Sequence, residues 1–236
     1  MLARIMTDLR RSARLYVGGV IAGGAWALVA SLPPRVTEPV LFPVLLATAV
    51  AAAAWKTSLP LTRTGTTISM SYVVFLVGAI VLGRFEALAI GAAGAWVQCE
   101  YRPQVRYPIY RTVFSAATVV LAVAASGAVL DLMVGEPVAS FPELIPPVLV
   151  AGAAFFVVNS GLVAVAIRLA TGQPLTEAWV TSMTWSVPAY LVGAAIAAAC
   201  AALVATHWLV AASLLLPAYA GYAITQVQAA RLRRAA

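Results

Sequence analysis

The chain reads as an all-α polytopic membrane protein, a bundle of about eight (six to eight) transmembrane helices with both termini cytoplasmic. Three observations lead there. Hydrophobic residues make up 63% of the 236 positions and charged residues 10%, where a soluble domain carries roughly 25% charged residues. Mean hydropathy is +0.96, and only a bilayer solvates that much apolar surface. The basic residues also fall almost entirely on one side of the membrane that the apolar runs imply.

The expected helices, in order, are 15–32, 39–55, 69–83, 85–101, 108–131, 145–169, 183–205 and 207–226. The first has basic flanks and an Ala25-Trp26-Ala27 triplet that mimics a cleavage site. Its apolar run is as long as a span and cleavage would spoil the charge parity, so it is an uncleaved helix. Pro33-Pro34, Pro60, Pro103, Pro137, Pro142 and the stretch Gly172 to Pro174 fall in or near the breaks, where helix breakers belong. The third and fourth runs are the shortest and are joined only by Gly83-Arg84. They form either a tight helical hairpin or a pair that does not cross fully. Pro146 and Pro147 open the sixth helix, Pro188 lies just inside the seventh, and Pro217 kinks the eighth. The length leaves one transmembrane domain, 1–236, with a short basic N-terminus (1–14) and a C-terminal tail (227–236).

With the N-terminus inside, all of the 15 basic residues except Arg35 and Arg84 are cytoplasmic. Glu38, Glu86, Asp131, Glu136 and Glu143 lie outside, and Asp8, Glu100 and Glu177 inside. An odd number of helices would put one terminal arginine cluster outside. The chain is therefore expected to cross its membrane several times, with both termini on the basic, cytoplasmic side. The net charge of +7 is a topology signal and an anionic-lipid contact, not a nucleic-acid footprint.

The most polar run, Thr62 to Ser71 ("TRTGTTISMS"), directly precedes the third helix. Gly65 allows a sharp turn, and the alternation from Thr66 to Ser71 suits a short extended piece. In one reading the run dips into the bundle, and Thr66, Thr67, Ser69 and Ser71 line a ligand pocket with Gln98 and Asn159. Irregular backbone at that depth is tolerated when buried in protein or lining a wet cavity. In the other it is a solvated loop in which Ser69 or Ser71 caps the helix. Asn159, near the middle of the sixth helix, is costly in lipid unless paired. It either binds a ligand or makes an interhelical hydrogen bond.

The stretch "TTISMSYVVFLVGAIVLGRFEALAIGAAGAWVQ" (66–98) resembles the N-terminal membrane regions of bacterial cyclic-di-GMP signalling proteins. These MASE-like sensor regions precede HD-GYP or GGDEF output domains. The segment "FFVVNSGLVAVAIRLATGQPLTEAW" (155–179) is similar to the same regions. The layout is also similar to the substrate-capture S components of energy-coupling-factor transporters, in which the corresponding loop closes over a vitamin. The resemblance covers 55–190 and implies a membrane domain that senses or captures a small molecule and acts through a partner. "TVFSAATVV" carries Ser115 where the sensor family often has Asn, so one polar contact is weakened. If the chain is whole as it stands, ending at "QVQAARLRRAA", it is expected neither to make nor to degrade cyclic-di-GMP.

Arg102, Arg106 and Arg111, with Gln98, Glu100, Trp96, Tyr101, Tyr107 and Tyr110, form either an anion or lipid contact or ordinary snorkelling anchors and an aromatic belt. His207 has no companions at metal-ligand spacing. Cys99 and Cys200 lie in or at the ends of apolar runs, as small packing residues. No nucleophile elbow, Walker loop, His-Glu helix or paired acid and base is present, so no enzymatic activity, catalytic residue or metal site is expected. The sequence names no cofactor. Expected partners are membrane lipids and another membrane or cytoplasmic protein. Three functions remain: a sensing domain, a substrate-capture transport subunit, and a structural or accessory subunit of a larger assembly. Gly19-x-x-x-Gly23 suits close helix packing and favours none of the three.

Overall fold

A computed structural model describes residues 10–32, 38–55, 57–58, 67–68, 71–101, 108–134, 143–183 and 186–204. Within them lie the helices α1 (Arg11–Val29), α2 (Leu41–Ala54), α3 (Ser71–Val81), α4 (Arg84–Glu100), α5 (Ile109–Met133), α6 (Ile145–Thr171), α7 (Leu175–Met183) and α8 (Val187–Val204). Between α2 and α3, strand β1 (Thr57–Ser58) pairs antiparallel with β2 (Thr67–Ile68). Thr57 stands opposite Ile68, and Ser58 opposite Thr67.

The fold is helical, and α1, α5, α6 and α8 are long and apolar enough to cross a membrane. α2 and α3 are apolar but short. At ~1.5 Å per residue the 11 residues of α3 reach only ~16 Å, about half of the ~30 Å hydrocarbon core. The expected run 207–226 lies outside the described residues.

Local chemistry sets the helix ends. Pro occupies the first positions of α6, where the missing N–H costs nothing. Gly172 ends α6 in the left-handed conformation (φ 82°), and its N–H donates to the Arg168 carbonyl over 2.8 Å. The chain then departs from the sequence-based expectation. The stretch counted as a break before the seventh helix contains the nine-residue α7. It was hidden because Gly172 and Pro174 look like a simple stop, while α7 is too short to register as an apolar run.

Contacts fix how the helices run. A Cβ added to Gly78 would meet Ile90 and Ala87, and one added to Gly94 would meet the Phe75 ring, so α3 and α4 form a close antiparallel pair. Gly91 faces Val119 and Val123, and Glu100 accepts a hydrogen bond from Thr112 (2.6 Å), which sets α5 antiparallel to α4. Ser126 Oγ ties α5 to α6 by donating to the Ala151 carbonyl (2.9 Å). α1 lies against α5 and α6, with Gly24 on Ala117 and Tyr16 Oη donating to the Leu162 carbonyl (3.0 Å). The main core joins α2, α3, α4, α5, α6 and α8, and a smaller cluster of Val17, Val20, Tyr110, Phe114 and Ala117 seats α1.

These contacts also sort the charges. The starts of α1, α3 and α5 and the ends of α4 and α6 share one end of the bundle. Among the described arginines, Arg10, Arg11, Arg14, Arg111 and Arg168 belong to that end and Arg84 to the opposite one.

Candidate functional site

The polar focus of the interior lies where α3, α6, α7 and α8 meet. Tyr72, the second residue of α3, is 8% exposed. Its ring sits in a slot made by two glycines. A Cβ on Gly193 would come within 3.0 Å of the ring, and a Cβ on Gly152 within 2.5 Å of the hydroxyl. Neither site accepts a side chain without a shift. Around the slot the rings close up: the Tyr72 centroid lies 4.9 Å from Phe155 and 4.6 Å from Tyr190, and Phe156 meets Tyr190 edge-on at 5.1 Å.

Polar groups thread this cluster. The Asn159 carboxamide interacts with the Tyr190 hydroxyl, relating α6 to α8. Trp179 Nε1 of α7 donates to Ser160 Oγ (2.9 Å), which donates to the Phe156 carbonyl. The Tyr72 hydroxyl, in contrast, is buried and has no hydrogen-bond partner among the described residues. Buried polar groups are nearly always paired, so each exception asks for a reason. It gets none from the packing, since phenylalanine would fill the same slot.

Tyr72 lies against Phe155 and Gly152, and Leu76 against Gly152 alone, so α3 and α6 run antiparallel. Asn159 therefore lies one turn beyond Phe155, towards the β pair. Of the residues expected to line a pocket, Ser71 is buried at the start of α3. Thr67 lies in β2, and its backbone is extended, as the alternation suggested. Thr66 and Ser69 lie outside the described residues, as does Gly65. Gln98 is half-buried near the end of α4, on the level of Ser71 but on a different helix from the Asn159 junction. Arg111 is exposed at the start of α5, with Nε 3.5 Å from Tyr110 Oη, and Arg102 and Arg106 lie outside the described residues. Cys99 and Cys200 are both free.

Sequence reasoning found Asn159 but missed Tyr72, Trp179 and Tyr190. A signal existed: Gly152, Phe155, Phe156 and Asn159 follow the three- and four-residue spacing of one helix face. Glu86 was missed too. It was counted with the outer carboxylates but is 1% exposed, in the first turn of α4, where the helix N-terminus favours negative charge. Close by, a cleft of ≈ 70 Å³ opens between α3, α4 and α5, lined by Leu82, Ala87, Val123 and Gly127 with Arg84 and Asp131. It has room for about two waters. Among the described residues no group of three His, Cys, Asp or Glu could hold a metal ion.

Among the described residues, four helices long and apolar enough to cross a membrane, packed around a close core, mark the chain as a helical membrane protein. No family model, curated protein or solved structure matches the chain.

Proposed function

We propose that the chain is a small-molecule sensing and binding domain of a bacterial inner membrane, acting through a partner, with its ligand engaged at the Tyr72–Asn159–Tyr190 junction. The Tyr72 hydroxyl is the observation that supports this most. Leaving a donor unsatisfied in a low-dielectric interior costs about 1–3 kcal/mol, and the flanking glycines keep the ring where that cost is incurred. A group held so is set to bond an incoming molecule, and the Asn159 amide, one turn along α6 from Phe155, offers a second contact. The junction also sits at the root of α3, which the chain reaches directly from β2. A ligand drawn to Tyr72 would thus move the β pair at the basic end, where a partner would read it.

In this reading the basic end is cytoplasmic, the run 207–226 supplies a further span, and both termini lie inside. The sorting of the described arginines, five against one, supports the sidedness. A second reading, an accessory subunit of a larger assembly, draws on α1. There Gly18 and Gly19 meet nothing within 4 Å among the described residues and leave a smooth outer face for another helix.

Native mass spectrometry of the purified chain separates the two. The sensing reading expects a small molecule on the wild type that is lost from Asn159→Leu while the fold persists. A wild type that carries no such mass, and appears only in complex with another membrane protein, would leave the accessory reading in its place.

A further inference from the structure

We infer that the basic end of the bundle is a docking surface for the anionic phosphodiester headgroups of the surrounding membrane, centred where α1 meets the turn between α6 and α7. The geometry begins at Gly172. Arg10 places a guanidinium nitrogen 3.8 Å from the Cβ position of Gly172, which closes α6. The last carbonyls of a helix form its negative end, so a cation from a different helix is drawn there. Arg168 lies one turn back on α6 and is exposed, and Arg11 follows Arg10 on α1 and is exposed too. Arg14 and, at the start of α5, Arg111 extend the surface around the same end.

The carboxylates described at this end are Glu100, which accepts the Thr112 hydroxyl, and Glu177 of α7, against five described arginines. Arg10, Arg11 and Arg168 bring planar, forked donors suited to phosphate oxygens. What selects a lipid over a soluble anion is the apolar surface among the arginines. Leu15, 71% exposed, stands one turn further into α1 than Arg11, and Ile109, 39% exposed, opens α5 two residues before Arg111. A molecule that pairs with the guanidinium groups and also covers those side chains needs a charged head on an apolar tail. A nucleic acid or a free anion meets the first demand and not the second.

The test uses the full chain in nanodiscs of phosphatidylcholine mixed with phosphatidylglycerol, with retained lipids counted by native mass spectrometry after release. The wild type should retain phosphatidylglycerol more than about 25-fold over phosphatidylcholine, the factor that two arginines at about 1 kcal/mol each would supply. Arg10→Gln with Arg168→Gln should lower that preference by about fivefold per arginine, the factor equivalent to about 1 kcal/mol per basic residue at an anionic surface. Arg84→Gln, at the opposite end, should leave it unchanged. Equal retention of the two lipids, or an unaltered preference in the double variant, would overturn the inference. So would displacement of phosphatidylglycerol by inorganic phosphate, which would make the surface a site for a free anion. Should the double variant not fold, the wild type decides alone: its preference must fall with rising salt, and a preference indifferent to salt sinks the proposal.

Discussion

Gly24 in α1 and Gly152 in α6 both stand where a side chain does not fit, and for different reasons. A Cβ on Gly24 would lie 2.8 Å from the Cβ and 2.9 Å from the Cα of Ala117. That glycine lets two backbones approach, the usual role of small residues between membrane helices. A Cβ on Gly152 would meet the Tyr72 hydroxyl and the Ala194 methyl. That glycine clears room for one particular ring. The α1 contact is generic packing, satisfied by shape alone. The α3–α6–α8 junction keeps a polar group in a place that shape alone would give to a phenylalanine. The difference is why the proposed ligand site is placed in the second region and the first is read as attachment.

Substitutions can break the comparison, and Gly152→Val should have the largest effect. The added methyls displace both Tyr72 and Ala194, and overpacking of this kind costs about 1–3 kcal/mol. Thermal unfolding in detergent should show the whole bundle destabilised, because α3, α6 and α8 part together. Gly24→Val should produce a clash of comparable size with a local consequence. α1 loosens and becomes open to proteolysis, while the unfolding midpoint of the remainder holds.

Asn159→Leu should have a smaller effect. Hydrogen bonds between membrane helices average about 0.6 kcal/mol, and the leucine side chain recovers part of that by packing. In exhaustively washed protein a stability within about 1 kcal/mol of the wild type is expected, and as purified the variant lacks any bound small molecule. In washed protein Tyr72→Phe should alter stability least of all, in the neutral or stabilising direction, because the hydroxyl it removes has no partner to lose. A marked destabilisation by Tyr72→Phe, measured in the same unfolding assay, would show that the hydroxyl is already satisfied.

Composition and apolar runs made the class of protein legible, and helix breakers made most boundaries legible. The close pairing of α3 with α4 was readable from Gly83-Arg84, and the opening of α6 from its prolines, because both depend on local backbone chemistry. The extended piece at Thr67–Ile68 was readable for the same reason. α7 was not, since its position depends on Trp179 reaching Ser160, a contact between segments that carries no local signature. The junction was legible by half. Asn159 stood out because a carboxamide is rare amid apolar residues. Tyr72 and Tyr190 did not, because a tyrosine near a helix end is ordinary in a membrane protein. Its burial between two glycines emerges only when three helices are brought together.

The central claim is that the Tyr72–Asn159–Tyr190 junction binds a ligand, and the most direct measurement is the change in unfolding midpoint between freshly purified and exhaustively washed protein. A ligand bound to the folded state raises stability by mass action. The account predicts that washing lowers the midpoint of the wild type and leaves that of Asn159→Leu where it was. An equal drop in both, or no drop in the wild type, would contradict it.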